Sequence, residues 1–194
     1  MFITPKISRE RAEDIFVTRK SHFSLNRPLF AGKNPAMPEK MEVLYLPFYL
    51  FDVLVSENRN GNKNTQTNQQ RVTLSVDGLR GQSVLFATDV PDCETDAEAS
   101  GSSCDFKISP SYASKIALER YKGILLEHGL RTRSLPSAKQ ISEGRKIFYP
   151  FWIAYYKRKK GYDFKAVDAV SGEIQGVQMR RLLIRALKNL IHRS

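Results

Sequence analysis

Apolar positions along the chain fall into two rhythms, one of period three to four and one of near-continuous apolar runs. Ala113, Ile116, Ala117, Tyr121, Ile124 and Leu125 recur at three- and four-residue spacing, which is one face of a helix. A shorter stripe of Ala12, Ile15 and Phe16 predicts a helix over about Arg9 to Lys20. From Val177 to about His192, Met179, Leu182, Leu183, Ala186, Leu187, Leu190 and Ile191 form a third stripe, with Arg180, Arg181, Arg185 and Lys188 outside it. Tyr45–Leu50 and Phe148–Ile153 are rich in strand formers but carry Pro47 and Pro150. Proline donates nothing to a ladder, so each belongs at a strand's first residue, at an edge or in a bulge. Ile153–Tyr156, a Lys157–Gly161 turn and Tyr162–Val167 read as a β-hairpin. The Asn-rich polar stretch from Ser56 to Asn68 takes the place of that turn in the first half, and is expected to be a mobile hairpin tip.

These segments repeat. Lys6-Ile7-Ser8 recurs as Lys107-Ile108-Ser109, each before a helix, with Ser8 and Ser109 as N-cap types. Tyr45–Leu50 recurs as Phe148–Ile153, and Val76–Gly81 as Val167–Gly172. Collinear landmarks at offsets of 101, 103 and 91 predict a duplicated helix–strand–strand unit whose first copy carries 12 more residues between its strands. The expected fold is therefore α+β: a tandem duplication of a helix–β-hairpin unit, antiparallel strands packed against helices, and a C-terminal helix. The boundaries are 1–88 for the first copy, 89–105 for an acidic linker and 106–194 for the second copy with its basic helix.

Charge divides the same way. Residues 1–105 carry 12 Lys/Arg against 14 Asp/Glu, and residues 106–194 carry 19 against 6, so the net +11 belongs to the second half. Such asymmetry suits nucleic acid, an anionic surface or an acidic partner. The longest apolar stretch, Val43–Val55, has 13 residues and includes Pro47 and Asp52. A bilayer span needs about 20, so it reads as a buried strand. Charges follow at once on the first residues, with no signal-peptide core, and a cytoplasmic protein is expected. Cys93 and Cys104 make no disulfide framework and are expected as thiols.

The order helix, strand, strand, then Val-Asp-Ala-Val-Ser-Gly-Glu-Ile (Val167–Ile174) resembles the PepSY-type repeat. The first copy departs from it at Gly78 and Leu79, where the second has Ala169 and Val170. The resemblance implies a small α/β fold that serves in binding and inhibitory modules, mostly exported or membrane-attached, rather than one chemistry.

Candidate chemistry is sparse. No Gly-rich phosphate loop, nucleophile elbow or zinc spacing occurs, and no metal or cofactor is expected. His22, His128 and His192 share no ligand spacing and read as surface or helix-end residues. Asp77 and Asp168 are repeat-equivalent carboxylates: either a pair for acid–base work or two turn aspartates bonding their own backbone. Tyr45, Phe48, Tyr49, Tyr149, Phe151 and Trp152 either line a groove between the copies or form core. Lys157, Arg158, Lys159 and Lys160, beside Tyr155, Tyr156 and Tyr162, are either a phosphate- and base-contacting tip or a solvated turn. The leading expectation is a non-enzymatic binding or regulatory module with a protein partner using the aromatic groove. Nucleic-acid binding by the basic half is the alternative, and a carboxylate enzyme a third.

Overall fold

The computed structural model describes residues 1–18, 37–57, 68–84, 95–96, 100–132, 137–159 and 161–191. His22, Cys93, Lys160, His192, positions 58–67 of the Asn-rich stretch and most of the acidic linker lie outside the described residues, as does the side chain of His128. The fold is mixed α and β. Its strands are β1 (Phe2–Ile3), β2 (Lys40–Glu57), β3 (Asn68–Asp77), β4 (Ser83–Val84), β5 (Thr95–Asp96), β6 (Ser102–Ser103), β7 (Ser137–Ile141), β8 (Arg145–Arg158) and β9 (Gly161–Asp168); its helices are α1 (Arg9–Thr18), α2 (Pro110–Thr132) and α3 (Val177–Ile191).

The chain forms two compact units that interleave along the sequence. One comprises Met1–Leu46, Cys93–Cys104 and Phe148–Ser194; the other comprises Pro47–Asp92 and Asp105–Ile147. In the second of these, β2 and β3 pair antiparallel from Phe48↔Asp77 to Glu57↔Asn68. β4 extends β3, and β7 pairs with β2. Because side chains alternate along a strand, Tyr49, Phe51 and Val53 of β2 share one face. With Leu74 and Val76 they pack under α2 at Ala113, Ala117 and Tyr121. The two alanines let the helix backbone approach the sheet closely.

In the first unit β8 and β9 make the expected hairpin, paired from Phe151↔Asp168 to Arg158↔Gly161. α1 lies on one face, with Ala12, Ile15 and Phe16 against Ala154, Tyr156 and Val167. Phe164 belongs to the opposite face, and there Arg180 of α3 lies over its ring, 4.6 Å from the centroid. Met179, Leu182, Leu183 and Ala186 are the buried side of α3. The thiol of Cys104 donates to the Ala186 carbonyl at 3.6 Å. β1 runs parallel to β8 at Phe2↔Phe148, where the two rings stack at 4.5 Å. β5 pairs with β1, and β6 runs parallel to β2.

Pro47 and Pro150 each stand one residue before the first antiparallel pair of their hairpin, where no amide donor is required. No helix among the described residues is long and apolar enough to cross a membrane.

Candidate functional site

The two candidate carboxylates close turns of matching chemistry. Asp77 accepts from the amides of Leu79 at 3.0 Å, Arg80 at 2.6 Å and Gln82 at 2.5 Å. Asp168 accepts from the amides of Val170 at 2.8 Å and Ser171 at 3.0 Å, and from the Tyr149 hydroxyl at 3.0 Å on each oxygen. Both are buried, and both turns end on a glycine at φ 75°, Gly81 and Gly172. In each the aspartate amide and carbonyl close the loop: Asp77 N to Gln82 O and Gly81 N to Asp77 O, then Asp168 N to Glu173 O and Gly172 N to Asp168 O. The Asp77 oxygens bond the amides of its own turn, while Asp168 bonds turn amides through Oδ1 and the Tyr149 hydroxyl through both oxygens, contacts that suit turn aspartates. Among the described residues no group of three His, Cys, Asp or Glu is placed to hold a metal ion.

Each turn also receives a helix. The Gly78 carbonyl accepts from the amides of Lys107 and Ile108, and the Ala169 carbonyl from those of Lys6 and Ile7. An aromatic side chain then donates to the same isoleucine: Tyr49 Oη to Ile108 O at 2.9 Å, and Trp152 Nε1 to Ile7 O at 2.8 Å. Ser8 and Ser109 cap, accepting from Arg11 and Tyr112 three residues on. Thus the turn at Asp77 holds the start of α2, and the turn at Asp168 holds the residues that lead into α1.

This arrangement places the aromatic candidates. Tyr45, Phe48, Tyr49, Tyr149 and Phe151 are fully buried, and Trp152 is half-buried with its indole N–H already committed. The physical reason is that both faces of β2 and β8 are covered, so strand alternation leaves these rings no outward side. The first five are core, with no surface to offer a ligand.

The cationic candidates are placed differently. Lys157, Arg158 and Lys159 are exposed at the β8–β9 tip. Tyr162, cross-strand from Lys157, is 66% exposed, and a Cβ at the neighbouring Gly161 would meet nothing within 4 Å. The tip is braced from α3. Arg180 donates to Asp163 Oδ1 at 2.6 Å and to the Phe164 carbonyl at 2.6 Å, while Arg158 reaches the other Asp163 oxygen at 3.4 Å. Burial pushes the Asp163 carboxyl up, but Arg180, the Phe164 amide and Arg158 together hold it below the usual carboxylate range. Lys165, its Nζ 5.3 Å from the Tyr156 ring centroid, is pushed down by burial and by Arg158. The brace was missed in the sequence, where the signal was Asp163 as the one acid between Lys157 and Lys165.

Compared with known proteins, the chain matches no family model, no curated protein and no solved structure.

Proposed function

We propose that this protein is a non-enzymatic binding module for nucleic acid, and that its contact surface is the cationic tip of the β8–β9 hairpin. The observation carrying this reading is that Lys157, Arg158, Lys159 and Tyr162 remain exposed on a braced hairpin while five of the six candidate groove aromatics are buried. Cations of this density contact phosphates, and an exposed phenol ring offers a base a stacking face. Arg180 neutralises Asp163, so the tip keeps its positive field.

The paired turns, caps and aromatic-to-isoleucine bonds support a second element of the proposal: a duplicated helix–hairpin module in which each helix start is held by the other repeat's turn. The PepSY-type resemblance of the Val-Asp turn segments fits a binding role better than a catalytic one. We assign the protein to the cytoplasm, where nucleic acid is met and Cys104 stays reduced.

The test is fluorescence anisotropy with labelled single-stranded and duplex oligonucleotides across a salt series. Dissociation constants of about 1–100 µM at physiological salt are expected, with affinity falling linearly in log salt. Replacing Lys157, Arg158 and Lys159 by alanine together should lower the slope by about 2 for single strands, at about 0.7 per phosphate contact. Tyr162→Ala should weaken single-stranded binding and spare duplex binding. Binding that ignores salt, or that survives the triple substitution unchanged, would sink the proposal.

A further inference from the structure

The helix α3 carries a second stripe, on the side turned away from its buried residues. Val177, Ile184 and Ile191 are 41%, 37% and 72% exposed, each seven residues from the next. Exposed Arg181 and Lys188 follow the first two at a spacing of four, and exposed Arg185 flanks them. The helix contains no acidic residue. Seven-residue recurrence of β-branched aliphatics matches one of the two apolar columns of a coiled-coil seam, and residues four further on flank that column, where charge selects the partner. We propose that the outer face of α3 docks an amphipathic helix of a partner protein whose seam-flanking residues are acidic.

The pattern discriminates among occupants. A second copy packed antiparallel would set Arg181 and Lys188 against their own kind, and a parallel copy would give them no acid to pair with. A bilayer surface is better served by a broad apolar face with aromatic anchors. Here the exposed apolar band is one column wide, with Leu187 half-buried beside it and no exposed aromatic on the helix. A narrow aliphatic column with cations along one flank matches a helix bearing glutamates opposite them. The length, 15 residues, allows about two heptads, so a weak and reversible contact follows.

The probe is a labelled synthetic peptide of three heptads, with Ile and Leu in the seam and Glu at both flanking columns, titrated with the full chain. Binding in the range of tens of micromolar is expected. It should weaken about tenfold in the Arg181→Glu/Lys188→Glu variant, and be regained when the peptide's glutamates are exchanged for lysines. Ile184→Asp should abolish it. The triple hairpin-tip variant should bind the peptide normally, which separates this surface from the nucleic-acid one. Failure of the folded chain to bind the peptide would overturn the proposal. So would charge-exchanged peptide that fails to rescue, or α3-dependent binding to phosphatidylserine vesicles without peptide binding.

Discussion

Tyr49 and Tyr156 show how much a buried hydroxyl depends on its neighbour. Tyr49 donates to the Ile108 carbonyl, whereas the hydroxyls of Tyr121 and Tyr156 are buried with no hydrogen-bond partner among the described residues. An intramolecular hydrogen bond contributes about 1 kcal/mol, and a buried unpaired group costs about 1–3 kcal/mol. Tyr49→Phe should therefore destabilise by about 1–2 kcal/mol in chemical denaturation, while Tyr121→Phe and Tyr156→Phe should be neutral or stabilising. A loss of stability in either of the latter would mean that an unseen partner satisfies the hydroxyl. Asp163 offers a pH-dependent counterpart. Its folded-state pKa lies below the ordinary 3.8, so its contribution is present above that value and is lost as pH falls through the depressed one. In Arg180→Ala the Asp163 titration followed by NMR should move upward; an unmoved titration would show that Arg180 does not hold it. At this scale the sequence was informative where chemistry is local. Val-Asp followed by glycine announces a turn, because aspartate bonds nearby amides and glycine permits positive φ. Whether a tyrosine meets a carbonyl 59 residues away is not a local property, and no periodicity reports it.

At the scale of elements, the two turns are alike in bonding but unequal in crowding. A Cβ at Gly81 would stand 2.6 Å from Ile116 Cδ1, whereas at Gly172 the nearest atoms, in Ile15 and Ile7, are at 3.4 Å. Both positions have φ near 75°, which costs an L-residue about 1–2 kcal/mol. Gly172→Ala should show roughly that loss and Gly81→Ala a larger one, as the Ile116 side chain must shift to admit the methyl. Equal melting temperatures for the two variants would refute the difference in packing. The three helices among the described residues were legible because a 3.6-residue stripe needs only ten or more residues to declare itself. β1, β5 and β6, at two residues each, are too short to show any period. Nor could the aromatic segments be resolved between groove and core, since a strand covered on both faces and one lining a cleft are equally apolar.

For the whole molecule, the assignment of helices to hairpins was the part that the matching segments concealed. Since Asp77 and Asp168 build nearly the same receptor, sequence alone could not distinguish a helix docked on the hairpin that follows it from one docked on the other hairpin. The compact units hold α2 with β2–β3 and α1 with β8–β9. Splitting the chain near residue 90 should therefore give fragments that gain cooperative folding on mixing, seen as a sharp denaturation transition and new amide protection. Fragments that each unfold cooperatively alone, with no change on mixing, would mean that each helix docks as well on the hairpin that follows it.

The N-terminal position of α1 also sets a timetable for synthesis. Its receptor turn at Asp168 leaves the ribosome some 150 residues after the helix does, a delay of about 10–30 s at ordinary elongation rates. The unit built on β2, β3 and α2 can be complete by then. During that interval the similar Asp77 turn, which holds the start of α2 in the folded chain, would be the first such turn available to a nascent α1. Codon-dependent pauses between residues 77 and 110 would lengthen the competition, and ribosome-bound chains stalled there are where a misdocked α1 should be caught.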